Sequence, residues 1–103
     1  MDFKLEKELT DEFLILYPKG ELDVYNTKKF KEKSLKFYEK EPKDILYDFS
    51  ELKYLDSTGL GSLIYVLKEV EKNNHKIVIE NINNSILKLF KITKLDEMFE
   101  IRR

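Results

Sequence analysis

Six consecutive residues, Asp56-Ser57-Thr58-Gly59-Leu60-Gly61, hold an acid, two hydroxyls and two of the chain's three glycines. Any of the first three can cap a helix, because a short side-chain oxygen accepts a hydrogen bond from a first-turn N–H. Spacing alone leaves open whether Asp56, Ser57 or Thr58 is the cap, but at least one hydroxyl is left over at a helix start. Unpaired N–H groups and the positive end of the helix dipole make that place tolerant of an anion. A hydroxyl there is suited to carry a phosphate. Glycine costs a helix about 1 kcal/mol relative to alanine, so Gly59 and Gly61 imply close approach by the fold or by a partner.

Parts for other chemistry are missing. The chain has no cysteine, which excludes thiol catalysis, a disulfide framework and a zinc ribbon together. The single histidine, His75, cannot build a histidine metal site or a catalytic pair, and beside Asn73-Asn74 it reads as a turn or strand-entry residue. An aspartic-protease half needs glycine two residues after the aspartate, and Thr58 intervenes. A phosphate-accepting Asp48 with Asp11-Glu12 as a magnesium pair fails because those acids fall in a hairpin turn. No nucleophile–base pair and no phosphate-cradling glycine loop are present. The expectation is a protein that is not an enzyme and needs no cofactor or metal.

The elements that would position the hexapeptide follow from periodicity. Phe3 and Leu5 alternate with charge in a first strand, Thr10-Asp11-Glu12 makes a turn, and Phe13–Tyr17 is a second, more continuously apolar strand closed by Pro18-Lys19-Gly20. Phe30, Ser34, Phe37 and Tyr38 lie on one face of a helix over Thr27–Lys40, with Asn26 as N-cap and Pro42 as stop. Ile45–Phe49 is a third strand. Leu60, Leu63, Ile64, Leu67 and Val70 mark a second helix from Thr58 to Asn73. Lys76–Glu80 is a fourth strand; Asn83-Asn84-Ser85 then cap a short helix carrying Ile86, Leu89 and Phe90, and Met98–Ile101 forms a last edge strand. The order β-β-α-β-α-β-α-β implies an α/β fold, with a mixed sheet of four to five strands covered by about three helices.

With 103 residues, one domain and one core are expected, and no linker or repeat divides the chain. Nineteen basic residues against twenty acidic ones leave a net charge of −1, no footprint for direct nucleic-acid binding. No apolar run approaches the ~20 residues of a membrane span, and the charged N-terminus lacks a signal peptide's apolar core. A soluble, cytoplasmic, monomeric protein is expected. The lysine run Lys28-Lys29-Lys31-Lys33-Lys36, with Glu32 and Glu39 interspersed, reads as a solvated helix face.

The hexapeptide, following Ile45–Phe49 and Leu52-Lys53-Tyr54-Leu55, resembles the signature of the STAS-domain anti-sigma factor antagonists. Gly20-Glu21-Leu22-Asp23 is similar to the family's second short motif, placed at the start of its first helix. Ser85–Phe90 through Thr93-Lys94-Leu95 resembles its third helix, so the likeness spans nearly the whole chain. Two departures stand out: lysine at 94, where relatives often have glycine at a left-handed helix end, and a sequence that runs to Arg103, from which the family's final helix is expected to be missing or very short.

The resemblance implies a single STAS domain over 1–103 that switches partners. Unphosphorylated, such a protein binds a serine-kinase anti-sigma factor and frees the sigma factor; the kinase phosphorylates the serine of the Asp-Ser pair, here Ser57, and a PP2C-type phosphatase resets it. Asp23, Asp56, Ser57, Thr58, Gly59, Leu60 and Gly61 are then the partner-binding residues, with Asp56 foremost a cap and Asp23 equally suited to a turn. Thr58 is the competing acceptor. The alternative is a constitutive STAS interaction subunit of a signalling or transport assembly, in which Ser57 is only a cap. A small-molecule or nucleotide-binding role has no motif to support it.

Overall fold

The structure is a computed structural model describing residues 3–102. Two strands, β1 (Lys4–Leu9) and β2 (Phe13–Leu22), form an antiparallel hairpin pairing Lys4 with Lys19 through Leu9 with Leu14. The expected turn closes it: Thr10 N–H donates to the Phe13 carbonyl at 2.9 Å, and Phe13 N–H donates to Thr10 Oγ1 at 2.9 Å. Helix α1 (Thr27–Lys40) follows, then β3 (Asp44–Asp48), β4 (Leu52–Leu55), α2 (Ser57–Glu71), β5 (Ile77–Glu80), α3 (Asn84–Ile92), a 3-10 turn (Leu95–Glu97) and β6 (Glu100–Arg102).

The mixed α/β sheet with three helices is as expected, but among the described residues it has six strands, ordered β1-β2-β3-β5-β6 with β4 on β2. Two corrections have one cause. Pro18-Lys19-Gly20 does not close β2, which runs on to Leu22, and Leu52–Leu55 is a strand in its own right. β2 pairs in parallel with β3 over Phe13–Leu16, then with β4 over Gly20–Leu22. Pro18 sits between the two parallel partners, where no neighbour on that side needs its missing N–H. β4 escapes periodicity because Leu52 and Leu55 are both buried while Lys53 and Tyr54 are exposed, which breaks the alternation.

The helices pack against the sheet face that carries Leu14, Leu16, Ile45, Tyr47, Ile77 and Ile79, all essentially buried in one core with Phe30, Leu63, Leu67 and Phe90. Phe30 sits between Phe3, edge-on at 6.1 Å, and the tilted ring of Tyr47 at 5.4 Å between centroids. Ser34, the one polar residue on the inward face of α1, accepts a 2.8 Å hydrogen bond from the buried Tyr47 hydroxyl. Burial pushes that phenol well above its ordinary range, so it remains a donor. His75, at the entry to β5, is hydrogen-bonded through Nδ1 to the Tyr38 hydroxyl at the far end of α1.

Candidate functional site

Because β2 and β4 are parallel, their C-terminal ends leave the sheet together, with Leu22 paired to Leu55. The two loops that follow carry the sequence motifs: Asp23 comes directly after Leu22, and Asp56 directly after Leu55. Asp56 N–H donates to the Leu22 carbonyl at 3.3 Å, tying the loops to each other. Gly20-Glu21-Leu22-Asp23 therefore ends β2 instead of starting α1: Gly20 N–H is held by the Glu51 carbonyl at 3.0 Å, and the register shifts at Gly20, φ 106°, before Glu21 and Leu22 pair with β4.

Asp56 is the cap. Its Oδ1 accepts from Gly59 N–H at 2.9 Å and from the Thr58 hydroxyl at 2.6 Å. Burial alone would raise the Asp56 carboxyl, but hydrogen bonds from the Thr58 hydroxyl and from the backbone of Gly59, Thr58 and Val24 outweigh it and hold the group below the usual carboxylate range. Thr58 is thereby engaged. Ser57, the first residue of α2, is exposed, and its hydroxyl has no partner among the described residues. Of the three candidate caps, Ser57 is the hydroxyl left free at the positive end of the helix.

Asp23 makes a turn. Its Oδ1 accepts from Tyr25 N–H at 3.0 Å, and its carbonyl accepts from Asn26 and Thr27 N–H, each at 3.0 Å. Asn26 stands at the N-cap position of α1 but does not cap with its side chain, contrary to expectation; its Nδ2 donates to the Glu21 carbonyl at 2.7 Å instead. Between Asp23 and Asn26 the loop projects Val24 and Tyr25, 60% and 89% exposed. Neither has the spacing of a motif, so only their exposure beside Asp56 marks them.

The two glycines divide. Gly59 is buried: a Cβ there would stand 2.5 Å from Leu55 Cδ1 and 2.6 Å from the Leu22 carbonyl oxygen. Its role is to let α2 rest on the ends of β2 and β4. Gly61 is exposed, with nothing within 4 Å of a would-be Cβ. Together with Thr58, Ser62, Tyr65, Thr27 and Lys31 it lines a groove of roughly 520 Å³ between α1 and α2. Leu60, expected in the partner contact, is 5% exposed and belongs to the core. Lys94 adopts the left-handed conformation, φ 61° and ψ 18°, so lysine occupies the turn that suits glycine. Among the described residues no group of acids and histidine is placed to hold a metal, and no helix is long and apolar enough to cross a membrane.

Residues 4–103 match the STAS domain family. The chain is 30% identical to the anti-sigma-B factor antagonist of Listeria monocytogenes over 103 residues, covering 99% of this chain and 90% of that protein. Its fold superposes on an anti-sigma factor antagonist from Mycobacterium paratuberculosis with a TM-score of 0.85, at 18% identity, over 97% of this chain and 85% of the other. The phosphorylated form of the Bacillus cell fate determinant SpoIIAA gives 0.72, at 23% identity, over 99% and 92% of the two chains. At those identities the two structures speak for the fold, while the sequence matches extend over nearly all of the chain. The chain belongs to the STAS-domain family of anti-sigma factor antagonists.

Proposed function

We propose that this protein, a single STAS domain over 1–103, is a partner-switching regulator without catalysis of its own. Unphosphorylated, it binds a serine-kinase anti-sigma factor and releases the sigma factor; the kinase transfers phosphate to Ser57, the complex dissociates, and a PP2C-type phosphatase restores the free hydroxyl. The observation that carries this reading is the contrast within the motif: Thr58 and Asp56 bond to each other, while the Ser57 hydroxyl is exposed and unengaged among the described residues. In favour of it too, a Listeria relative matched along almost the whole chain is an anti-sigma-B factor antagonist.

A phosphate on Ser57 acts on the docked partner more than on the fold. It adds about −1.5 to −2 charges at a helix N-terminus, where the dipole returns about 0.3–1 kcal/mol. Two like unit charges about 4 Å apart repel by roughly 4 kcal/mol at an effective dielectric of about 20. Tenfold in affinity needs only about 1.4 kcal/mol, so contact repulsion with acids on the partner suffices to separate the complex.

The test is capture from lysate of the source organism by wild type, Ser57→Ala and Ser57→Asp, read by mass spectrometry. A kinase-like protein held by wild type and Ser57→Ala but lost with Ser57→Asp is the expected result. Identical partners for all three would make the domain a constitutive interaction subunit. Thermal melts of the phosphorylated and free forms should coincide within a few degrees; a molten phosphorylated form would refute a switch confined to the docking surface.

A further inference from the structure

Helix α1 carries more positive charge than its fold can use. Lys28, Lys29, Lys31, Lys33, Lys36 and Lys40 stand against Glu32 and Glu39, a local +4 in a chain whose net charge is −1. Lys29, Lys33, Lys36 and Lys40 recur at i, i+4, i+7 and i+11, so they form one exposed row of like charge along the helix. Two of the six stand in the first turn, which has no acidic residue, where the dipole disfavours cations. The Asn26 side chain does not relieve that end, being bonded to Glu21 instead. Lys31 alone has an aromatic partner, lying over the Tyr65 ring at 4.3 Å. Among the described residues the others make no ion pair with a carboxylate, whereas Lys19, Lys72 and Lys76 do.

The row starts at the candidate site. Tyr25, one turn before Lys29, heads a shallow groove shared with Lys28, Lys29, Glu32, Lys33 and Lys36. The strand end that leads into the same loop accepts the Asp56 N–H at the Leu22 carbonyl, which places the loop beside Ser57. Self-repulsion and misplacement against the dipole weaken the free helix, and an acidic partner surface would reverse both effects. We infer that the Lys29–Lys33–Lys36 row, with Tyr25 at its head, is an electrostatic arm of the docking surface that receives an acidic segment of the anti-sigma factor bound at Ser57. The inference rests on the proposed partner-switching role. It gives the lysine run a role beyond that of a solvated face.

The experiment titrates the purified serine-kinase anti-sigma factor of the same genome into the full chain, from about 50 to about 500 mM salt, where screening shortens from roughly 14 to 4 Å. Lys29→Gln/Lys33→Gln/Lys36→Gln should weaken binding roughly tenfold or more at low salt and converge on wild type at high salt. Its melting temperature should equal or exceed that of wild type, since like-charge repulsion is removed. Lys88→Gln/Lys91→Gln/Lys94→Gln, at three exposed positions on and just after α3, supplies a charge-matched control that leaves the α1 row intact. Unchanged low-salt affinity in the triple variant, or an equal loss in the control, overturns the inference. So does tight lysine-dependent binding to phosphatidylserine vesicles or duplex DNA with the anti-sigma affinity unaffected. Undiminished binding by Ser57→Asp would instead defeat the parent reading. Weak binding by Ser57→Asp with full affinity in the triple variant defeats the lysine row alone.

Discussion

Replacing each motif glycine by alanine should move stability in opposite directions. At Gly59 the new methyl would lie 2.5 Å from Leu55 Cδ1, 3.2 Å from Leu22 Cγ and 2.6 Å from the Leu22 carbonyl oxygen. Comfortable carbon contacts begin near about 3.5 Å, so α2 must withdraw by roughly 1 Å. Leu55 can rotate; the carbonyl cannot, because it also accepts the Asp56 N–H that joins the two loops. Overpacking of this kind costs about 1–3 kcal/mol, against about 0.5–1 kcal/mol gained in helix propensity. The net is a loss of about 1–2 kcal/mol, or roughly 4–16 °C in Tm for a domain this size. At Gly61 only the propensity gain operates, because no atom lies within 4 Å. Gly61→Ala should therefore melt about 2–8 °C higher than wild type. Thermal unfolding followed by circular dichroism, with denaturant titration as a second measure, reads both. The reasoning fails if Gly59→Ala melts at or above wild type, or if Gly61→Ala melts lower. A Gly61→Ala protein that is more stable yet binds the anti-sigma factor more weakly would show that the α1–α2 groove is kept open for a partner.

Three further outcomes follow from single contacts. Asp56→Asn keeps a capping oxygen and loses only the charge at the helix N-terminus, so it should cost about 0.3–1 kcal/mol near neutral pH; because the folded carboxyl titrates below its unfolded value of about 4, that gap should be full above about pH 5 and vanish as pH falls through the folded pKa, which urea titrations across pH would trace. A gap that widened in acid would contradict the capping geometry. Tyr47→Phe should lose about 1–2 kcal/mol by stranding the buried Ser34 hydroxyl, and Tyr47→Phe/Ser34→Ala should recover part of it in a double-mutant cycle. Lys94→Gly should gain up to about 1 kcal/mol by relieving a left-handed lysine, seen as a higher denaturant midpoint; a lower midpoint would mean the lysine side chain contributes more than its backbone costs.

The sequence by itself determined the parts that depend on local physics. Helix periodicity located α1, α2 and α3, alternation located the hairpin, and Asp56-Ser57-Thr58 placed a capped helix start with a surplus hydroxyl. Which hydroxyl was surplus could not be read from spacing, because all three residues cap equally well in isolation. The choice came with the bond from Asp56 N–H to the Leu22 carbonyl, a contact that exists only once β2 and β4 lie side by side and that sets Asp56 ahead of the helix to cap Gly59 N–H. The same pairing extended β2 past Pro18 and made a strand of Leu52–Leu55, since a parallel partner supplies hydrogen bonds that no local pattern records. It also separated two glycines alike in sequence: Gly59 lies beneath the helix against a backbone carbonyl, and Gly61, two residues on, is turned some 200° around the helix to face solvent. Composition and periodicity specify which elements form; only tertiary packing decides what stands next to each of them, and a docking surface is made of such neighbours.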